Sequence, residues 1–215
     1  MAKETRFIIK NVPYHWQRNN LNKPNTTCYN TSMATVIDYI MTKDNIPLER
    51  IGMKETHMQL EDYLYNLIYS DETKAWIKRN VSKFGTWMLE SNPHTIAYVE
   101  EMIFNKLMNQ FGYMCQFLTA VTYDDYVKFI DKFQLPQVLH GKYPVKGFKN
   151  PYLGHITVGI GYDLKNKSII QHDPYGDWRT NYNNQSGKEV EYPFYQLYVK
   201  DEKAQTMWLT HIKTM

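Results

Sequence analysis

The chain has 215 residues, 43% of them hydrophobic and 22% charged, with a formal net charge of +3. These are the proportions of a globular protein; the charge is too small, and the lysines too scattered, for a nucleic-acid binder. Two cysteines make no disulfide framework, and no apolar run is long enough for a signal peptide or a membrane span, so synthesis in a reducing cytoplasm without a signal peptide is expected. Any action outside the cell then needs another route of export. No Pro/Gly/Ser-rich linker or charge run divides the sequence, which points to a single domain over residues 1–215. The wealth of Asn, Lys, Ile and Tyr is what an AT-rich genome gives and suggests a low-GC Gram-positive bacterium or its phage.

In chain order, Phe7 to Pro13 reads as a short strand that leads into an irregular, Asn-rich segment bracketed by Pro13 and Pro24 and containing Gln17. A helix follows. Met33, Val36, Ile37, Ile40 and Met41 keep the i, i+3, i+4, i+7, i+8 rhythm of an amphipathic helix, and Thr26 or Thr27 is a natural N-cap. Cys28 therefore lies in the first turn, where unpaired N–H groups and the positive end of the helix dipole favour a thiolate over a thiol. Lys43 to Pro47 breaks this pattern. Helices are then predicted over Met58–Tyr69, Asp71–Phe84 and Pro93–Phe111, the last with Asn92 as N-cap and Pro93 in the first turn, and over a segment from Thr122 to Lys132 with acids in its first turn. Cys115, in the apolar run Tyr113 to Leu118, reads as core.

From Leu135 the pattern changes to strands: Pro136–His140, Ile156–Tyr162, Ser168–His172 and Tyr195–Val199. A helical region over about 28–133 followed by a sheet region over about 135–200 is an α+β arrangement, a helical part packed on an antiparallel sheet. If residues 163–167 form a hairpin loop, His155 faces Tyr175 and Asp173 is its diagonal neighbour on the same side of the sheet, with His172 on the other side. A bulge would shift this register by one and reverse the choice. Asp163, in the turn, suits an Asx-type turn former. Cys28, His155 and His172 are also the residue types of a zinc ligand set.

Three pieces of the sequence resemble the papain-like cysteine peptidases of the bacteriocin-processing (double-glycine leader) type and their stand-alone relatives. They are Val12-Pro-Tyr with Gln17 and Asn20; Thr27-Cys28 with Thr31-Ser-Met-Ala34; and Gly154-His155 through Gly161-Tyr-Asp163 to Asp173-Pro-Tyr-Gly176. The resemblance implies a papain-like fold in which Cys28 is the nucleophile, His155 its base, Asp173 the orienter of the histidine and Gln17 an oxyanion donor. It implies no cofactor and no metal. Gln17 lies eleven residues before Cys28, farther than in papain, with Asn19 to Asn25 looping out between them. Asn19, Asn20 and Asn25 are the next candidates for that donor.

The implied activity is hydrolysis of amide bonds in a peptide. The favoured substrate is bacterial cell-wall peptide, cleaved by a wall hydrolase of phage or Gram-positive origin, with association to a virion or phage tail as the corresponding partner. A protein-processing protease and a catalytically idle papain-like binding or virion protein are the alternatives. Trp16, Tyr175 and Trp178 flank the proposed catalytic residues and are candidates for shaping the substrate groove.

Overall fold

A computed structural model describes residues 5–54, 57–80, 97–144, 152–194 and 205–212. After strand β1 (Arg6–Ile8) come helices α1 (Cys28–Lys43), α2 (Leu60–Ile68), α3 (Asp71–Arg79) and α4 (Ala97–Met108). Strand β2 (Tyr113–Val121) and helix α5 (Tyr123–Phe133) follow, then strands β3 (Gln137–Pro144), β4 (Tyr152–Asp163), β5 (Ser168–His172), β6 (Val190–Pro193) and β7 (Gln205–Ile212). The strands form one antiparallel sheet in the order β2-β7-β3-β4-β5-β6. β1 pairs with the C-terminal end of β4, beyond the point where β3 stops.

Helix α1 is held by packing. Thr27 occupies the N-cap position but its side chain makes no capping bond. Instead Met33, Val36, Ile37 and Ile40 are at most 1% exposed. Each such side chain contributes about 1.5–3 kcal/mol on burial, more than a cap supplies. The helix packs on β4 and β3 and against α2. Ser32 adds a polar tie, its hydroxyl donating to the carbonyl oxygen of Ile156 in β4.

The sheet is larger than the sequence pattern indicates. β2 lies inside the stretch read as helical: Gly112, at φ +82°, ends the turn after α4 and releases the chain into a strand. β2 is an edge strand, and α4 covers that edge. Asn105 donates to the Cys115 carbonyl and accepts from its N–H, and Glu101 accepts from the Phe117 N–H. β6 and β7 were not apparent as strands, whereas the predicted strand over Tyr195–Val199 lies outside the described residues. α3 begins at the cap residue Ser70, and α5 opens with a reciprocal capping box between Thr122 and Asp125. The predicted start of α4 at Asn92 and Pro93, and the end of α3 at Phe84, also lie outside the described residues.

Glycines in β4 permit close approach. A Cβ on Gly161 would collide with the backbone of Phe7, so β1 can lie against β4 only where that side chain is missing.

Candidate active site

Cys28 is the first residue of α1 and is partly exposed. Its sulfur lies near enough to the His155 imidazole to help hold that ring in its charged form. The other side of that ring is occupied by Asp173, whose Oδ1 lies 2.7 Å from His155 Nε2. His155 is 8% exposed and Asp173 fully buried. His155 and Asp173 are thus sealed in the protein, while Cys28 is partly open to solvent.

The hairpin between β4 and β5 brings the two residues together by a cancellation. Asp163 pairs with Ser168, leaving a loop of residues 164–167, one residue shorter than the predicted 163–167. A bulge between Gly159 and Gly161 then shifts the register by one in the opposite sense, so Val158 pairs with His172. Continued, this pairing sets His155 opposite Tyr175 and leaves Asp173 as its diagonal neighbour.

Asp173 is tightly held. Oδ1 also accepts from the Tyr175 N–H at 3.0 Å, and Oδ2 accepts from the Tyr192 hydroxyl at 3.0 Å. Three donors offset the cost of removing this carboxyl from water. Its own backbone is fixed as well: the N–H donates to Gly187, and the Tyr14 hydroxyl donates to the carbonyl while accepting from the Gly187 N–H. A Cβ on Gly187 would collide with the Asp173 carbonyl. Burial works against a charge on His155, but Asp173 and the Cys28 sulfur outweigh it, and its pKa is pushed up to about 10. An acid, an imidazole held toward its charged form and a surface thiol form a chain suited to activated-thiol chemistry.

Residues 9–202 match the Peptidase_C39 like family. The chain belongs to the Peptidase_C39 like family. Membership is that of a cysteine-peptidase family, and the fold is α+β, helices packed on one antiparallel sheet. No curated protein matches its sequence. Among solved structures, a crystal structure of UfSP from C. elegans superposes with a TM-score of 0.48 at 12% identity, over 97% of this chain and 34% of that one. The peptidase thus spans about a third of the length of that chain.

In the peptidase, the irregular segment before Cys28 is fastened at several points. His15 bridges Asp38 of α1 at 2.9 Å and Glu61 of α2 at 3.0 Å. Burial opposes its charge, but the two carboxylates prevail and hold its pKa at about 9. The Gln17 N–H donates to the Pro174 carbonyl, one residue past Asp173. Asn20 Nδ2 donates to the hydroxyls of Thr27 and Thr31, both at 2.9 Å, and Asp62 accepts from the N–H groups of Leu21 and Asn22. Gln17 is 1% exposed, and its Oε1 has no partner, so its amide is not fully committed to the protein.

The remaining candidates separate cleanly. Tyr175 lies edge-on to His155 with ring centroids 6.4 Å apart. Trp16 is partly buried beside Gln17, its indole nitrogen without a partner. Trp178 stacks edge-on to Tyr192 and donates its backbone N–H to the tyrosine hydroxyl, so it backs the residue that holds Asp173. Asp163 accepts from the N–H groups of Lys165 and Asn166 and shapes the turn. Asp177 is paired with Arg179. His172 does not join a zinc set with Cys28 and His155. Its Nε2 faces the Val12 carbonyl and its Nδ1 accepts from Glu189, which fixes a neutral ring whose pKa burial lowers to about 4. Both cysteines are free thiols, and Cys115 is fully buried in β2.

Several residues at the site were not singled out from sequence. Tyr192 belongs to β6, a strand of four residues in which buried Val190 and Tyr192 alternate with less buried Glu191 and Pro193, a signal too short to stand out. Glu100 of α4 is buried with an unpartnered Oε1; burial and the neighbouring Cys28 push its carboxyl well above the usual range. Nothing in its local sequence marks it.

Proposed function

We propose that the peptidase hydrolyses amide bonds through Cys28, His155 and Asp173, with Gln17 as an oxyanion donor. The observation that carries this reading is the His155 ring, bracketed by Asp173 at 2.7 Å and by the Cys28 sulfur. Cys28 passes its proton to His155 as the sulfur attacks the scissile carbonyl carbon, and the carbonyl oxygen takes up the electron pair while the Cys28 N–H and the Gln17 amide donate to it. When the tetrahedral species collapses, the C–N bond breaks and the amine leaves with a proton from His155. Water then attacks the thioester, His155 takes its proton, and the acid is released as the C–S bond breaks. Asp173 keeps the ring oriented and favours its charged form throughout.

For the substrate, we propose peptide of the bacterial cell wall, cleaved by an enzyme of phage or Gram-positive origin that reaches the wall after release or as part of a virion. The weakly basic chain, with a pI near 8.6, supports this through attraction to an anionic wall. The tyrosines around His155 and the neighbouring Trp16 supply faces on which an extended peptide can lie, and Trp178 braces them through Tyr192. Zymography on Gram-positive walls beside a casein digest, with Cys28→Ala as control, tests the reading. Clearing of walls that is lost in the variant is expected. Digestion of casein alone points instead to protein processing, and clearing of neither to an idle scaffold.

A further inference from the structure

Arg18 follows Gln17 in a short turn, and its guanidinium lies 4.1 Å above the centre of the Tyr175 ring. Seated over the ring, the guanidinium makes no hydrogen bond among the described residues, which leaves its fork of N–H donors, a shape that fits a carboxylate, uncommitted. Among the described residues Arg18 makes no ion pair, and its buried Nε has no partner. Of the acids around the site, Asp173 is engaged with His155, Glu61 and Asp38 with His15, and Asp62 with the Asn-rich loop, while burial holds Glu100 toward its neutral form. Among the described residues, nothing neutralises this cation at the site.

The position of Tyr175 says which part of a substrate would meet that cation. Its N–H is bonded to Asp173, its hydroxyl to Asn25, and its ring lies edge-on to His155. Tyr182 is edge-on to both, 4.9 Å from Tyr175 and 6.2 Å from His155. His155 must hand its proton to the departing amine, so the leaving segment passes on the side of the site that these rings border. The ring separations of 4.1 and 6.4 Å put the guanidinium within about 10.5 Å of the imidazole, about three residues of extended chain.

We propose that Arg18, seated on Tyr175, is a specificity-determining residue on the leaving-group side, and that it receives a carboxylate carried by the amine-bearing segment of the substrate close to the scissile bond. This rests on the roles proposed above for Cys28 and His155. Substrates with an acidic side chain or a terminal carboxylate within about three residues after the cleaved bond are then preferred over their amides.

The test compares two probes that differ only in charge near the sulfur. Iodoacetate and iodoacetamide both alkylate Cys28 by the same displacement, in which the C–S bond forms, the C–I bond breaks and iodide leaves. The ratio of their rates, read by mass spectrometry of the Cys28 peptide at low ionic strength, cancels any general change in reactivity. In Arg18→Gln the ratio should fall about tenfold, and in the parent protein added salt should lower it toward the variant's value. Arg18→Lys should retain most of it, and Arg50→Gln, remote on Phe111, should leave it unchanged. A ratio that stays within twofold in Arg18→Gln, or falls equally in Arg50→Gln, overturns the proposal. Failure of the nucleophile assignment has a separate signature: an iodoacetamide rate at Cys28 that is the same in His155→Ala as in the parent protein.

Discussion

The hydroxyl of Ser32 donates to the carbonyl oxygen of Ile156 at 3.2 Å, one helical turn beyond Cys28 and one residue along β4 from His155. This bond fixes the helix that carries Cys28 to the strand that carries His155. In Ser32→Ala the bond is lost and a part-buried carbonyl is left without that donor, a cost of about 1–2 kcal/mol. Urea unfolding should show that loss. Turnover should fall about threefold to tenfold with KM little changed, because the spacing between sulfur and imidazole loosens. Unaltered turnover in a destabilised variant would mean that the tie serves the fold alone.

Tyr192→Phe removes one of the three donors that satisfy the buried Asp173 carboxylate. Stability should drop by about 1–3 kcal/mol. The effect on turnover should be smaller than that of Asp173→Asn, which takes the charge away from His155 and should cost about a hundredfold. A Tyr192→Phe variant as inactive as Asp173→Asn would show that the hydroxyl takes a more direct part.

His15 gives stability a signed dependence on pH. Its pKa is about 9 in the folded chain against about 6.5 when unfolded, so the folded state holds the extra proton between those values. The contribution is complete below about pH 6.5 and is lost as pH rises through about 9, for a total of about 3 kcal/mol. His172 acts on the acid side: held neutral with a pKa of about 4, it costs stability as pH falls below about 6.5. Stability measured by urea unfolding across pH should flatten above neutrality in His15→Asn and below it in His172→Gln. An alkaline limb identical in His15→Asn and the parent chain would locate its origin in other groups.

Gln17→Ala should fold normally and still be alkylated at Cys28, but turn over roughly a hundredfold to a thousandfold more slowly, about 3–4 kcal/mol of transition-state stabilisation. Its side chain makes no hydrogen bond among the described residues, which leaves the Nε2 donors uncommitted, and its backbone N–H bond to Pro174 holds it beside Asp173; both motivate the expectation. Asn20 is a poorer substitute, since its Nδ2 is already engaged with Thr27 and Thr31. Near-normal turnover would move the donor to Asn19 or Asn25.

Local signals made Cys28 readable: the apolar rhythm from Met33 to Met41 and the threonines before it define where α1 starts. The pairing of His155 with Asp173 was readable from strand parity, yet the register depended on a short loop and a bulge that offset each other. No sequence pattern specifies such a cancellation. What stayed hidden is governed by long-range pairing. β2 is an apolar run that a helix could equally accept, and it becomes a strand because β7, ninety residues away, pairs with it. Tyr192 and Gly187 reach Asp173 only after β6 folds back on β5, so neither announces its role in its own neighbourhood.

The most direct test of the triad is to titrate the native protein with iodoacetamide while following both the modified cysteine and the release of new amino groups from Gram-positive walls or casein. Hydrolysis should vanish in proportion to alkylation of Cys28, at one equivalent, with the fully buried Cys115 still unmodified. Hydrolysis that persists when Cys28 is completely alkylated would contradict the assignment of Cys28 as the nucleophile.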